Sequence, residues 1–316
     1  MRTKRITKTL ALSLVLLMLM GNTAFAAEGE VAAPDVSVEE ATEGYNVTDE
    51  TMNALVEEVA EAPVDANDAL VKATTAELLS GGTYTYTNAA QVSRLVQQGY
   101  ACNQEVHKGP FSITKGVLTT KGWFGRVNNR EVYVVALSGT DTDTENQTTD
   151  IWTDLLVGFE FDNKYIQNVK KAMLENIPAG SNIVVTGHSL GGMVAQQVAS
   201  DSDLKNNYNI LNTVTFGSPL INGFKREGTV KRLGDVRDVV PYLSLTTLTN
   251  IIWQSAGLNK EDGGYGSDII AAHCESYNRE DVWGAYDVTG TKNGGATLTL
   301  DYSTTAFYFS PVTITE

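Results

Sequence analysis

The chain of 316 residues is poor in the residue types that build metal centres and disulfide frameworks, with two cysteines, three histidines and seven prolines. Cys102, Cys274, His107, His188 and His273 show no ligand-like spacing, so no metal site is expected from them. Two cysteines do not make a framework of several bridges. A long-loop pair between Cys102 and Cys274 and two isolated thiols are both open readings. Positive charge is scarce as well. Twenty-three Lys and Arg stand against 38 Asp and Glu, a net charge of −15, which argues against nucleic acid or anionic lipid held by charge. What is present, 42% hydrophobic and 8% aromatic residues, is the composition of a folded globular protein.

The charge is unevenly spread. No basic residue lies between Lys8 and Lys72, while residues 27–71 carry 13 of the Asp and Glu. Residues 1–8 hold Arg2, Lys4, Arg5 and Lys8, an apolar run follows from Leu10 to Met20, and Ala24 and Ala26 flank Phe25. A basic start, a short apolar core and an A-x-A exit read as a secretory signal peptide over 1–26. Eleven residues, broken by Ser13, are too few for a transmembrane anchor, which needs about 20. Export to the extracellular space is therefore expected. Residues 27–71 read as an acidic leader or spacer without enough apolar surface to offset its ordering entropy, apart from a short helix over 51–62. Residues 72–316 read as one folded domain.

Within that domain the apolar pattern alternates between helix and strand. Val92, Leu95, Val96 and Tyr100 predict an amphipathic helix over 88–105, and Phe111 to Leu118 alternates as a strand. Residues 131–138 read as a buried strand and 162–177 as a helix stopped by Pro178. Strands at 182–186, 210–216 and 230–234 and a helix at 191–200 complete the series. Such alternation implies an α/β fold with a mostly parallel sheet flanked by helices. Two Thr- and Tyr-rich runs around Asn293-Gly294-Gly295 predict a C-terminal antiparallel hairpin.

The chemistry is concentrated in Asn182-Ile183-Val184-Val185-Thr186-Gly187-His188-Ser189-Leu190-Gly191-Gly192. A lone G-x-S-x-G is a weak signal, but here a hydrophobic strand precedes it and a small-residue helix follows. On a strained strand-to-helix turn, side chains two residues either side of the serine would collide, so both positions need glycine. The turn lifts the Ser189 hydroxyl clear of the sheet and aims the Leu190 N–H toward developing negative charge. A serine nucleophile needs a base, and on this type of turn the partners follow in the order acid, then histidine. His107 precedes the serine and His188 adjoins it on the other side of the strand, so His273 remains. Asp235 and Asp238 are the candidate acids, and Asp238 is favoured because it precedes the Val239-Val240-Pro241 that redirects the chain.

These stretches resemble the fungal-type (class 3) lipases. The resemblance rests on Val185–Gly192, Thr215-Phe216-Gly217-Ser218-Pro219, Asp238-Val239-Val240-Pro241, and Val134–Thr140 followed by Trp152-Thr153-Asp154-Leu155 and Gly158-Phe159. It covers about residues 88–280, with the motifs in the family's order. It implies an α/β-hydrolase fold and hydrolysis of carboxylic esters, often acylglycerols, with an ester or lipid as partner and no cofactor. By the same match Ser189 is the nucleophile, Asp238 the acid, His273 the base, and Thr140 the second oxyanion donor opposite the Leu190 N–H. Two features depart from the family. Leu137-Ser138 stands where Phe-Arg is common before the turn, and residues 141–149, at the usual lid position, are polar rather than amphipathic. The apolar stretch Leu243 to Leu258 reads either as an acyl-pocket lining or as packed core. Relatives of this fold also include phospholipases and feruloyl esterases. A binding protein on a retired hydrolase scaffold is the alternative outside enzymes, and four intact, separated site elements count against it.

Overall fold

The structure is a computed structural model and describes residues 81–97, 111–122, 125–139, 164–221, 225–238, 240–242 and 257–308. The stretches read as signal peptide (1–26) and as leader with a short helix (27–71), together with Cys102 and His107, lie outside the described residues. Strand β1 (Thr83–Tyr86) leads into helix α1 (Ala89–Gln97). Asn88 opens that helix by accepting the Gln91 N–H at 3.0 Å, and the Gln91 side chain reaches back to the Thr87 N–H at 2.8 Å. Then come β2 (Phe111–Lys121), β3 (Val127–Leu137), α2 (Lys164–Asn176), β4 (Asn182–His188), α3 (Leu190–Ser200) and α4 (Ser202–Asn207). Strands β5 (Asn209–Phe216), β6 (Thr229–Asp235) and β7 (Leu258–Glu261) follow, with a 3₁₀ turn at Val240–Tyr242 between the last two. The chain continues through α5 (Ile269–Cys274), a 3₁₀ turn at Ser276–Asn278, α6 (Glu280–Trp283) and β8 (Thr297–Tyr308).

The described strands form one eight-stranded sheet in the order β1-β8-β2-β3-β4-β5-β6-β7. From β3 to β7 every pairing is parallel, and β1, β8 and β2 extend the sheet by antiparallel pairing. The hydrophobic runs read as buried strands are buried because helices cover both faces. On one face Val135, Leu137, Ile183 and Val185 pack with Val169 and Met173 of α2 and Met193 and Val194 of α3. On the other, Val132, Val134, Val184 and Phe216 pack with Val92 and Val96 of α1, Tyr277 and Trp283. Each such side chain, fully buried, contributes on the order of 1.5–3 kcal/mol against the entropy of ordering the chain. This mixed sheet flanked by helices is the expected α/β-hydrolase architecture. Among the described residues, no helix is long and apolar enough to cross a membrane.

The C-terminal strand is antiparallel, as expected, but its partners differ from the hairpin reading. Strand β8 lies between β1 and β2, and residues 284–292 contribute only a single bridge, Tyr286 to Lys292. Asp287 is the reason. Its carboxylate accepts the amides of Thr289, Thr291 and Ala296, so these N–H groups close a loop instead of joining a ladder. Leu298, Leu300 and Tyr302 then bury one face of β8 against the core that holds α1.

Candidate active site

Strand β4 ends where the chain turns into α3, and Ser189 occupies that turn with φ 54° and ψ −123°. A non-glycine residue held at positive φ costs on the order of 1–3 kcal/mol and persists only where its surroundings enforce it. They do so here. The Ser189 N–H donates to the Phe216 carbonyl at 3.0 Å, and the Ser189 carbonyl accepts from Gly192 and Met193 at 3.0 and 3.2 Å. A Cβ at Gly187 would overlap the Gly191 carbonyl. One at Gly191 would strike the Leu137 carbonyl and lie 2.5 Å from that of Ser138. Both elbow glycines are therefore sterically required, and Gly191 lets the first turn of α3 press against the end of β3. That end leads to Thr140, which lies outside the described residues. At the start of α3 the Leu190 N–H belongs to the amides that an α-helix leaves without an internal acceptor.

Ser138, where the resemblance leads one to expect arginine, has its own role. It is buried, its hydroxyl donates to the Val96 carbonyl at 2.6 Å, and its carbonyl accepts from the Tyr165 hydroxyl at 2.9 Å. Helix α1 is fixed at its other side by Arg94, which donates to the Asn278 carbonyl and pairs with Glu280 at 3.0 Å. Gln97 Nε2 reaches the Cys274 carbonyl at 3.0 Å. Through these contacts α1 braces the segment carrying His273 against the end of β3.

The structure brings His273 and Asp238 together. His273 Nδ1 donates to Asp238 Oδ2 at 2.9 Å, and the Val240 N–H holds Asp238 Oδ1 at 2.9 Å. Among the described residues, nothing hydrogen-bonds the buried His273 Nε2. With the proton on Nδ1, Nε2 is left as an acceptor, the state a general base requires. Asp235, the other candidate, does not meet the histidine. It is not a surface carboxylate either, being fully buried and accepting from the amides of Arg237 and Gly263 and from Ser276 Oγ at 2.5 Å.

Gly217 explains the Thr215–Pro219 motif. At φ +54°, a Cβ there would lie 2.8 Å from Asp238 Oδ2 and 3.0 Å from His273 Nδ1. Any side chain would wedge the pair apart. Behind it the buried Arg232 donates to the Ser218 carbonyl at 3.1 Å and to that of Pro241, tying the loop after β5 to the turn after Asp238.

Sequence reasoning set His188 aside as a neighbour facing away, yet it belongs to the site's support. Its Nε2–H donates to the His273 carbonyl at 2.9 Å, and the two rings lie 4.7 Å apart. Burial, with His273 alongside, lowers its pKa to about 3, so it stays neutral. Tyr277, also unread in the sequence, donates to Asp238 Oδ2 at 2.6 Å. Neither Tyr277 nor Arg232 carries a local signal, because both act through contacts between distant segments. Residues 141–149, Trp152–Leu155, Gly158-Phe159 and 243–256 lie outside the described residues, so the lid and acyl-pocket readings have no structural account here.

A class 3 lipase family model matches residues 97–247 of the chain. No curated protein matches. Among solved structures, the extracellular lipase LipA from Serratia marcescens is 24% identical with a TM-score of 0.25, covering 42% of this chain and 24% of that one. The matched part thus spans about a quarter of the LipA chain. The M37 lipase is 12% identical with a TM-score of 0.28, covering 73% of this chain and 92% of that one.

Proposed function

We propose, from the match of residues 97–247 to the class 3 lipase family model, that the chain is a secreted serine carboxylic-ester hydrolase. The observation that carries the reading is the buried His273–Asp238 pair, with His273 Nε2 unengaged among the described residues and Ser189 strained on the adjoining elbow. Ser189 Oγ attacks the ester carbonyl carbon as its proton passes to His273 Nε2. Asp238 holds the imidazole in the required tautomer and stabilises the imidazolium. The Leu190 N–H and Thr140 receive the oxyanion. Collapse expels the alcohol, protonated by His273. Water, deprotonated by the same nitrogen, then attacks the acyl-enzyme and releases the acid. This cycle uses no cofactor.

The substrates are acylglycerol-like esters of short to medium chain length, and interfacial activation is weak or absent. Residues 141–149 contain no Leu, Ile, Val, Phe or Met from which a lid's apolar face is built. Secretion is supported by the pattern of residues 1–26. The decisive experiment is labelling with a fluorophosphonate. Stoichiometric modification of wild type and none of Ser189→Ala is expected, whereas labelling at another residue sinks the assignment. Activity on a short-chain triacylglycerol, followed through its solubility limit, should saturate smoothly. A sharp rise there points to a moving cover such as 243–258.

A further inference from the structure

We propose that Tyr277 is a positioning residue of the Asp238–His273 pair, its hydroxyl fixing the carboxylate against the imidazole and limiting how strongly that carboxylate stabilises the imidazolium. The inference rests on the triad reading above and names a residue that reading does not use.

The hydrogen-bond geometry leaves one orientation for the hydroxyl. A tyrosine has a single O–H proton, and the Asp235 N–H, 3.0 Å away, donates to its oxygen. Its own proton therefore goes to Asp238 Oδ2, 2.6 Å away, the same oxygen that receives His273 Nδ1. The ring cannot swing to another acceptor. It is fully buried, stacked on Trp283 at 5.6 Å and edge-on to His188 and Phe216 at 5.7 and 6.0 Å. Ser276, next in sequence, is tied to Asp235 at 2.5 Å. The end of β6 thus grips the histidine segment at three points: His273 and Tyr277 through Asp238, and Ser276 through Asp235.

Among the described residues, the charged or titratable groups nearest His273 have identified partners or states. From β4 comes His188, which stays neutral because burial lowers its pKa to about 3. Tyr277 keeps its proton, since burial and the adjacent Asp238 raise its pKa well above the usual value. From β6 and its turn come Asp235, engaged by three donors, and Arg232, directed at main-chain carbonyls. On α1, Arg94 is engaged by Glu280 and the Asn278 carbonyl. Beyond His273 in its own segment, Cys274 is exposed and Glu275 is half-buried.

The test compares pH profiles on a soluble nitrophenyl ester. Tyr277→Phe keeps the packed ring and removes the donor, so more of the Asp238 charge faces the imidazole. The acid limb of kcat/KM should move up by about 0.5–1 pH unit and kcat should fall about tenfold, with KM within about twofold. Site-specific 3-fluorotyrosine at 277, a stronger donor of nearly the same size, should move the limb the other way. Profiles that superimpose on wild type overturn the proposal, whether or not Tm falls, and leave Tyr277 a packing residue. If Tyr277→Phe does not fold, the fluorotyrosine protein decides alone: a shifted limb supports the proposal and an unshifted one overturns it. Ser189→Ala and Asp238→Asn are measured alongside. Wild-type activity in either one breaks the triad reading itself, a result distinct from superimposed profiles over two inactive controls.

Discussion

Around Ser189 the geometry is set by backbone pressed against backbone, whereas around Asp238 and His273 it is set by hydrogen bonds between side chains. At the elbow, Gly187 and Gly191 leave no room for even a methyl group, and the contacts they would strike are carbonyls of β3 and α3. At the acid–base half, Asp238, Asp235, Ser276 and Tyr277 share donors and acceptors across segments some 40 residues apart in sequence. Steric enforcement is all-or-none, because a close-packed backbone does not yield by a fraction of an ångström without moving its neighbours. Hydrogen-bond enforcement is graded, since each bond contributes separately and can be removed alone. The two halves should therefore fail differently.

The largest effect is expected at the reacting atom itself. Ser189→Ala should fold normally and lose roughly 10⁴–10⁶ in kcat; retention of more than a few per cent of wild-type turnover contradicts the nucleophile assignment. Asp238→Asn should follow at roughly 10³–10⁴, because an amide no longer selects the productive tautomer. Its near-wild-type circular dichroism would show that the loss is chemical.

Gly191→Ala tests the steric half. The added methyl meets the Leu137 and Ser138 carbonyls, so about 3 kcal/mol or more of stability should go, together with about 10² or more in kcat. A variant with unchanged Tm and rate would mean that the elbow yields, and the contrast between the halves would collapse. Asp235→Asn tests the graded half. It replaces an acceptor that holds Ser276 and two amides, at a cost of about 1–3 kcal/mol. Turnover should fall by about tenfold or less, and a total loss of activity would show this half to be as brittle as the elbow.

The smallest expected effect is one of pH. His188 is buried and neutral, with its pKa lowered from 6.5 to about 3. Below pH 6.5 the unfolded chain takes up a proton that the folded protein refuses, so stability falls as pH drops from about 6.5 toward 3. His188→Gln removes that proton linkage. Chemical denaturation at pH 7, 5 and 4 should give a shallower decline for the variant than for wild type, whatever its absolute stability, and parallel declines would exclude His188 as a source.

The fold was most legible where a strand is buried on both faces or a helix keeps one apolar side. Residues 131–138, 182–186 and 210–216 were read close to β3, β4 and β5, and 162–177 close to α2. Strands β1 and β7 were not read. Each has four residues: β1 alternates Thr and Tyr over too short a run to stand out, and β7, with Asn, Lys and Glu, has no apolar alternation at all. The hairpin around Asn293-Gly294-Gly295 was read from turn chemistry, which does mark a turn, with φ 57° at Asn293 and 81° at Gly295. Turn chemistry says nothing about which strand lies beside β8.

The elbow is legible from the residues alone, since a glycine two residues either side of a serine between strand and helix is a local steric requirement. Chain order and a count of three likewise leave only His273 as the proposed base. The choice between Asp235 and Asp238 belongs to the tertiary structure. The two residues are three positions apart and both end fully buried. Which one meets His273 depends on how α5 docks against the end of β6. The docking in turn follows from Ser276 on Asp235, Tyr277 on Asp238, and the bare Gly217 between them. Contacts between segments so far apart in the chain leave no local pattern, so only the folded arrangement assigns each carboxylate its role.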